Sequence, residues 1–388
     1  MCTCFKNTRF KIAYRKCFHA LKTYVNKRII QVIYIYNLGE ICMKTYNVGI
    51  LGATGAVGRE MLKVLEERNF PVNELRLLAS ERSVGKKVTF MGKEIEIKLA
   101  CHEAFSGLDI VLGAASNAVA KEFKDDIVKA GAVFIDNSSA FRQDSDVPLV
   151  VPEINGEDVF KNKGVISNPN CSTIITLMAV KGINKLSKIL AMNACTYQAT
   201  SGAGAAGPVE LMEQMEELDK EYKETGLVPN KGNVEAKVFA YQIAGNVIPM
   251  IGSMQDNGYT TEEMKMQNEG RKIMHLPDLK VTCTCVRVPV VRSHSIAVTV
   301  YTEDVLSVEE VRCQIAKEQN VKLYDDPKNA IYPMPIVTSD QDITYVGRIR
   351  KDLIHENGIT LFCCGDQVRK GAATNAVQIA LKLVGLDF

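Results

Sequence analysis

The 388 residues suffice for two domains with substantial cores, and a chain that is 24% charged and 46% hydrophobic is neither disordered nor collagen-like. Its formal charge of +2 is unevenly spread: residues 1–42 hold eight Lys/Arg against the single acid Glu40, and the remainder is mildly acidic at −5. Basic charge confined to the head argues against a nucleic-acid binder, which would carry a basic stripe on its folded part.

The longest apolar stretch of that head, "IIQVIYIY", is far short of the roughly 20 residues a membrane span needs, and no small-residue cleavage site follows it. Neither a transmembrane helix nor a standard signal peptide is expected. Residues 1–42 lack the alternation of apolar segments and turns that begins at Met43. They are expected to be an extension outside the folded core, with the native start at Met43. The twelve cysteines form no CxxC pair and no His/Cys metal spacing, so no metal is expected and reduced thiols in a cytoplasmic protein are. Cys283 and Cys285 alternate in "KVTCTCVRVPV", which aims both at one face of a strand, where packing is reason enough for them.

From Met43 the chain reads strand, glycine turn, helix: "YNVGIL", "GATGAVG", then "GREMLKVLEERN" from about Gly58. Strands "ELRLLAS", "LDIVLGAA" and "AVFIDNS" follow, with the amphipathic "NAVAKEFKDDIVKAG" between the last two. Apolar runs alternating with amphipathic helices predict a doubly wound parallel sheet covered on both faces. The glycine loop, between strand and helix, suits a pyrophosphate, because glycines let the backbone approach and the helix N-terminus favours its charge. Gly52, Thr54, Gly55, Ala56 and Val57 are its candidate cofactor contacts. About twenty residues on, where an NAD site would place an acid, "LLASERSVGKK" offers Ser80, Arg82 and Ser83, which suit a 2′-phosphate and favour NADP.

"SNPNCST" puts Cys171 at the head of a helix, where exposed N–H groups can lower the thiol pKa and make a thiolate available. Beyond it the texture changes. After "MNACTYQATS" and an acidic helix near 208–224, "LKVTCTCVRVPVVRSHSIAVTVYTE" holds long period-two strands of an antiparallel kind. The expected division is therefore a Rossmann-type dinucleotide-binding domain over 43–171 and an α+β domain with a largely antiparallel sheet over 172–365. The helical C-terminus, 366–388, is expected to return to the first domain.

Seven ordered motifs, "GATGAVG", "SSAFR", "SNPNCST", "YQATSGAG", "TEEMK", "RVPVVRSHS" and "RKGAATNA", resemble those of the aspartate-semialdehyde dehydrogenase family from Met43 to the C-terminus. The related acetylglutamyl-phosphate reductases are similar in fold and stay as an alternative; they typically carry Gly before the cysteine, where this chain has Asn170. The resemblance implies NADPH-dependent reductive dephosphorylation of L-aspartyl 4-phosphate to the semialdehyde and phosphate. This is a branch step toward lysine, methionine and threonine, and it passes through a cysteine thioester.

It further implies Cys171 as nucleophile, and His294 as the acid/base that activates the thiol and handles the hemiacetal proton. Gln198 would orient the acyl group, Arg287 hold the α-carboxylate, and Glu262 pair with the α-ammonium. Arg142, Lys265 and Asn170 would hold the phosphate. Ser201 and Gly202 of "SGAGAAG" would lie against the nicotinamide half, with Gln367 as a further cofactor contact where many relatives have Asn. A homodimer or dimer of dimers, joined through the second domain's sheet, is implied as well. Arg287 and His294 are an odd seven apart, so a single period-two strand would aim them at opposite faces, and a bend is required between them.

Overall fold

β1 (Tyr46–Leu51) leads through the glycine loop into α1 (Ala56–Glu67), which starts two residues before Gly58. β2 (Val72–Ala79), the hairpin of β3 (Lys87–Phe90) and β4 (Lys93–Leu99), and β5 (Ile110–Gly113) come next. They are followed by α2 (Asn117–Lys129), β6 (Val133–Asp136) and β7 (Val165–Ser167). In this computed structural model residues 44–229 and 234–388 are described; the expected head and the start at Met43 lie outside the described residues. Tyr46–Phe388 form one unit built on two sheets.

The first sheet runs β3-β4-β2-β1-β5-β6-β7, with every neighbouring pair parallel except β3–β4. Successive residues of a strand face opposite ways, and here both ways are covered. Val48, Ile50, Ile110, Leu112 and Ile135 pack in one cluster with Met61 and Leu65 of α1. Leu51, Val111 and Phe134 pack in another with Ala120, Phe123 and Ile127 of α2. Burial on both faces is why these strands read as unbroken apolar runs. The connection reverses direction between β1 and β5, and the glycine loop lies at that switch point, where the crevice of a doubly wound sheet opens.

α3 (Cys171–Leu186) is apolar nearly all round, and residues 172–183 of it are buried, as such a helix must be. The chain continues with β8 (Ile189–Gln198), α4 (Ala206–Thr225), α5 (Thr261–Ile273), β9 (Lys280–Arg287) and β10 (His294–Thr302). It then forms α6 (Val308–Ile315), β11 (Val321–Leu323), β12 (Thr344–Lys351), β13 (Gly358–Gly365) and α7 (Thr374–Leu383). The second sheet runs β11-β12-β13-β10-β8-β9; its three central pairings are antiparallel and the two outer ones parallel.

One face of this sheet packs on α3, α5 and α6 through Met192, Ala194, Ile296, Val298, Leu361 and Val346. Cys283 and Cys285 lie in the same core with their sulfurs 3.7 Å apart, both inward as the alternation requires. On the opposite face Asn193, Tyr197, Thr282 and Thr284 are exposed. After β13 a π turn, Arg369–Ala373, leads into α7, whose Ala376, Val377 and Ile379 join the core of β1 and β5.

Candidate active site

Asn170 is the N-cap of α3: its Oδ1 accepts from the Thr173 N–H at 3.2 Å, which fixes the start of the helix and sets Cys171 in its first turn. The apolar rest of α3 is pinned in the core, so the sulfur has a rigid base. The "TTEE" stretch builds α5 by a capping box between Thr260 and Glu263. Glu263 also accepts from the Cys285 N–H at 3.0 Å, tying α5 to β9. This helix carries Glu262 and Lys265 on one face, bonded to each other at 2.8 Å.

Arg287 and His294 are not on one strand. β9 ends at Arg287 and β10 begins at His294, and β8 lies between them, pairing Gln198 with Arg287 and Tyr197 with Ser295. The intervening turn contains Ser293 with φ 75°, and it supplies the bend that the odd spacing demanded. Strand ends from three neighbours thus converge on the head of α3.

Cys171 Sγ stands 3.4 Å from His294 Nε2. The other ring nitrogen, Nδ1, accepts a hydrogen bond from the Ala199 N–H at 3.0 Å. Because a backbone amide only donates, the neutral ring carries its proton on Nε2, the atom that faces the sulfur. Burial, then the Arg287 guanidinium, push the imidazole down to about 3, against the pull of Glu262. Burial also pushes the Cys171 thiol up to about 11, with the Glu262 carboxylate adding to it and Lys265, Arg142 and Arg287 opposing. The lowering of this thiol expected at the helix head is not what its surroundings give: burial and the Glu262 carboxylate push it the other way.

Glu262 is the hub of the polar cluster. Its Oε1 accepts from Asn170 Nδ2 at 2.9 Å and Gln198 Nε2 at 3.3 Å, and its Oε2 from Lys265. Burial works to raise its pKa, but Lys265 and the two amides prevail and hold it at about 2. Arg287 is buried, donates to the Ala199 carbonyl at 2.6 Å, and stacks over Phe239 with its guanidinium carbon 5.7 Å from the ring centroid. Arg142 donates to Glu269 at 3.0 Å and to the Asn137 carbonyl at 2.8 Å, and its Nε is a buried donor with no partner. Glu269 in turn accepts from the Asn170 N–H at 2.7 Å.

A cleft of about 440 Å³ joins this cluster to the phosphate loop. Gly55, Ala56, Val57, Ser201, Gly202 and Gln367 line it, together with Arg142, Asn170, Cys171 and Lys265. The loop fits a pyrophosphate. Gly52 holds φ 88°, a Cβ at Gly58 would lie 2.4 Å from the Gly52 carbonyl oxygen, and α1 begins with neither a side-chain cap nor an acid in its first turn. Gln367 is held by the Ser293 N–H at 2.8 Å and donates to the Ser201 hydroxyl. Thr54, Ser80, Arg82 and Ser83 sit away from the cysteine, at the ends of β1 and β2. There Ser83 Oγ meets Thr54 Oγ1 at 3.5 Å, and Ser80 and Arg82 are exposed.

Three participants escaped sequence reasoning. Glu269 had a signal, since Glu262, Lys265 and Glu269 at i, i+3 and i+7 share a helix face. The Ala199 N–H had none, being backbone, and neither did Phe239, which lies in an irregular segment far along the chain. Among the described residues no group of three or more His, Cys, Asp or Glu is arranged to hold a metal, and no helix is long and apolar enough to cross a membrane.

Comparison with known proteins gives one answer. The family model described as "Semialdehyde dehydrogenase, NAD binding domain" matches residues 47–162, and "Semialdehyde dehydrogenase, dimerisation domain" matches 180–370. The chain is 49% identical over 342 residues to the aspartate-semialdehyde dehydrogenase of Aquifex aeolicus, covering 87% of this chain and 98% of that protein. It is 46% identical over 343 residues to that of Bacillus subtilis, covering 88% and 98%. The fold matches the crystal structure of aspartate semialdehyde dehydrogenase II of Vibrio cholerae complexed with ASA, with TM-score 0.84, 43% identity, and coverage of 89% and 100%.

Proposed function

The chain belongs to the aspartate-semialdehyde dehydrogenase family, and on that premise we propose that it converts L-aspartyl 4-phosphate and NADPH to L-aspartate 4-semialdehyde and phosphate through a thioester on Cys171. The reaction stands at the branch toward lysine, methionine and threonine. A nicotinamide cofactor follows from the family. The phosphorylated form is favoured by Arg82, Ser80 and Ser83 at the end of β2, where the nearest acid, Glu81, is exposed. Gly52, Thr54, Gly55, Ala56 and Val57 would hold its pyrophosphate, and Ser201, Gly202 and Gln367 its nicotinamide end.

The reading rests above all on one observation: Cys171 Sγ lies 3.4 Å from His294 Nε2, in a cleft shared with the phosphate loop. In this reading the sulfur attacks the acyl carbon and phosphate departs toward Lys265, Asn170 and Arg142, whose unpartnered Nε suits an anion. A nicotinamide bound against Ser201, Gly202 and Gln367 would supply hydride chemistry at this site. Gln198 orients the acyl group, and His294 holds a proton at Nε2 for the hemithioacetal and for the sulfur as it leaves. Arg287 takes the α-carboxylate and Glu262 the α-ammonium. This pairing requires a free amino acid, and so separates aspartyl phosphate from an N-acetylated glutamyl phosphate.

Following NADPH absorbance with both acyl phosphates tests the assignment, and only the aspartyl compound is expected to turn over. Cys171→Ala is expected to abolish phosphate-dependent NADP reduction by the semialdehyde, and retained reduction would end the covalent reading. We further place the protein in the cytoplasm, where the free thiols of all the described cysteines would persist. The exposed face of the second sheet, which carries Tyr197 near the end of β8, is the surface we assign to a homodimer or dimer of dimers. Light scattering on the eluting protein tests it, with Tyr197→Lys expected to lower the mass; a wild-type monomer would reject it.

A further inference from the structure

We infer that Asn137 is a further binding residue for the phosphoryl group, presenting its side-chain NH2 to the cleft beside Arg142, and that Asn168 is the positioning residue that holds this amide the right way round. The premise is the reading above, in which Arg142 and Lys265 receive the phosphate; Asn137 adds an uncharged donor to them.

Asn137 follows β6 and Asn168 follows β7, side by side because the two strands pair up to Asp136 and Ser167. The Asn137 N–H donates to the Gly113 carbonyl at 3.0 Å and the Asn168 N–H to the Asp136 carbonyl at 2.7 Å, so both side chains leave from fixed backbone at the carboxyl ends of the strands, where the crevice opens. Asn168 Nδ2 donates to Asn137 Oδ1 at 2.6 Å. Asn137 is half-buried and lines the cleft, and its Nδ2 makes no hydrogen bond among the described residues. The NH2 is the end of the amide left to face the cleft.

The two ends of an amide have the same shape, so which one points outward is decided by partners that can play a single role. Lys370, an ammonium that only donates, gives a hydrogen bond to Asn375 Oδ1 at 2.9 Å. The other end of Asn375 is therefore its NH2, which donates to the Val150 carbonyl at 2.9 Å and to Asn168 Oδ1 at 2.7 Å. Asn168 in turn has its NH2 toward Asn137, with the Ala372 carbonyl as a second acceptor at 3.4 Å. Lys370, Asn375 and Asn168 are all fully buried. Reversing any link would set two donors or two acceptors face to face away from water, so the direction set at Lys370 is carried to the cleft wall.

The neighbours of this donor select an anion. Arg142 Nη2 donates to the backbone carbonyl of Asn137 at 2.8 Å, which puts guanidinium and amide on one wall, and Lys265 lines the same cleft. The other amides that line it have given their NH2 groups away, Asn170 to Glu262 and Gln367 to Ser201. Asn137 is thus the amide with hydrogens to spare for a group with several acceptor oxygens, next to the unpartnered Nε of Arg142.

Inorganic phosphate is the probe, in phosphate-dependent reduction of NADP by the semialdehyde on the full-length protein. Asn137→Ala should raise the KM for phosphate about tenfold, with kcat within about threefold of wild type and the KM for semialdehyde unchanged. The Kd for NADP, measured by calorimetry without turnover, should also be unchanged. An unaltered KM for phosphate would overturn the inference, as would a loss confined to NADP, which would assign the amide to the cofactor. Asn168→Leu, or Asn168→Ala should the larger side chain not fold, should raise the KM for phosphate about fivefold in the wild-type background and add nothing in Asn137→Ala. Equal effects in the two backgrounds would mean that Asn168 does not act through Asn137. A KM for phosphate untouched by Arg142→Met and Lys265→Met would instead remove the phosphate subsite of the reading above, whatever Asn137 does.

Discussion

His294 and Glu262 show how one site holds two groups far from their ordinary ionisation, in the same direction but for opposite reasons. The imidazole is kept neutral because burial, the Arg287 charge and the Ala199 N–H all disfavour a second proton, whereas Glu262 is kept charged because Lys265 and two amides repay its burial. The consequences for stability occupy different pH windows. His294 titrates at about 3 in the fold against 6.5 when unfolded, so the unfolded chain binds its proton first as the solution is acidified. Its stabilisation is complete above pH 6.5 and is lost as the pH falls from there toward 3, with a slope of at most about 1.4 kcal/mol per pH unit. Glu262, held at about 2 against 4.5, contributes fully above 4.5 and is lost only below it. Urea titrations at about pH 7, 6 and 5 should therefore show the stability of His294→Gln falling less steeply than that of wild type, while Glu262→Gln should parallel wild type over that range. Equal slopes for wild type and His294→Gln would mean that the ring is not held neutral in the fold.

At the scale of elements, the head of α3 is where four pieces of chain meet: the strand ends of β8, β9 and β10, and the π turn Arg369–Ala373. The π turn brings Gly371 so near that a Cβ there would lie 2.9 Å from Cys171 Cβ, so glycine is what lets the wall close behind the sulfur. Gly371→Ala should displace Cys171 from His294 by a fraction of an ångström. A fall in kcat of about a hundredfold is expected, with the cofactor Kd little changed and the fold intact by circular dichroism. An unaltered kcat would show that the sulfur tolerates the shift. Some of this meeting was legible beforehand: "SNPNCST" announced a helix with cysteine at its head, and Glu262 and Lys265 of "TEEMK", three apart, share a face of any helix that holds them. The bend between Arg287 and His294 was legible only as a necessity. That it takes the form of two separate strands flanking β8 depends on pairing partners some ninety residues away in the chain.

Across the whole molecule, buried charge fastens the C-terminal segment to the rest. Lys370 Nζ is fully buried and donates to Glu153 at 2.7 Å, Gln378 at 2.7 Å and Asn375 at 2.9 Å. Arg369, next to it, bonds Asp342 at 2.8 Å and Glu60 of α1 at 2.8 Å, and Asp342 is held at about 2 as Arg369, Thr374 and Arg68 overcome its burial. Arg292, two residues before His294, joins the same set through Asp366 and Glu60. The helix behind the phosphate loop is thereby linked to the strand that carries the imidazole. Lys370→Met should leave Glu153 as an uncompensated buried charge and cost about 3–5 kcal/mol in urea unfolding, with much of that loss recovered in the double variant Lys370→Met/Glu153→Leu. Additive losses in the double variant would show that the two charges do not depend on each other.

What the amino-acid order determined by itself was whatever depends on near neighbours: the apolar runs of a sheet covered on both faces, the glycine loop that must turn into a helix, the period-two strands of the second sheet, and the motif set that marks the family. These follow from side-chain periodicity, caps and backbone freedom, which act over a few residues. Tertiary structure alone decided the rest. The proton on His294 is placed by an amide at Ala199, the state of Cys171 by how deeply the cleft buries it, and the anchoring of Asn170 and Arg142 by Glu269. Hydrogen bonds from backbone, and the loss of water around a charge, depend on which distant segments are packed together, and no local pattern of residues carries that information.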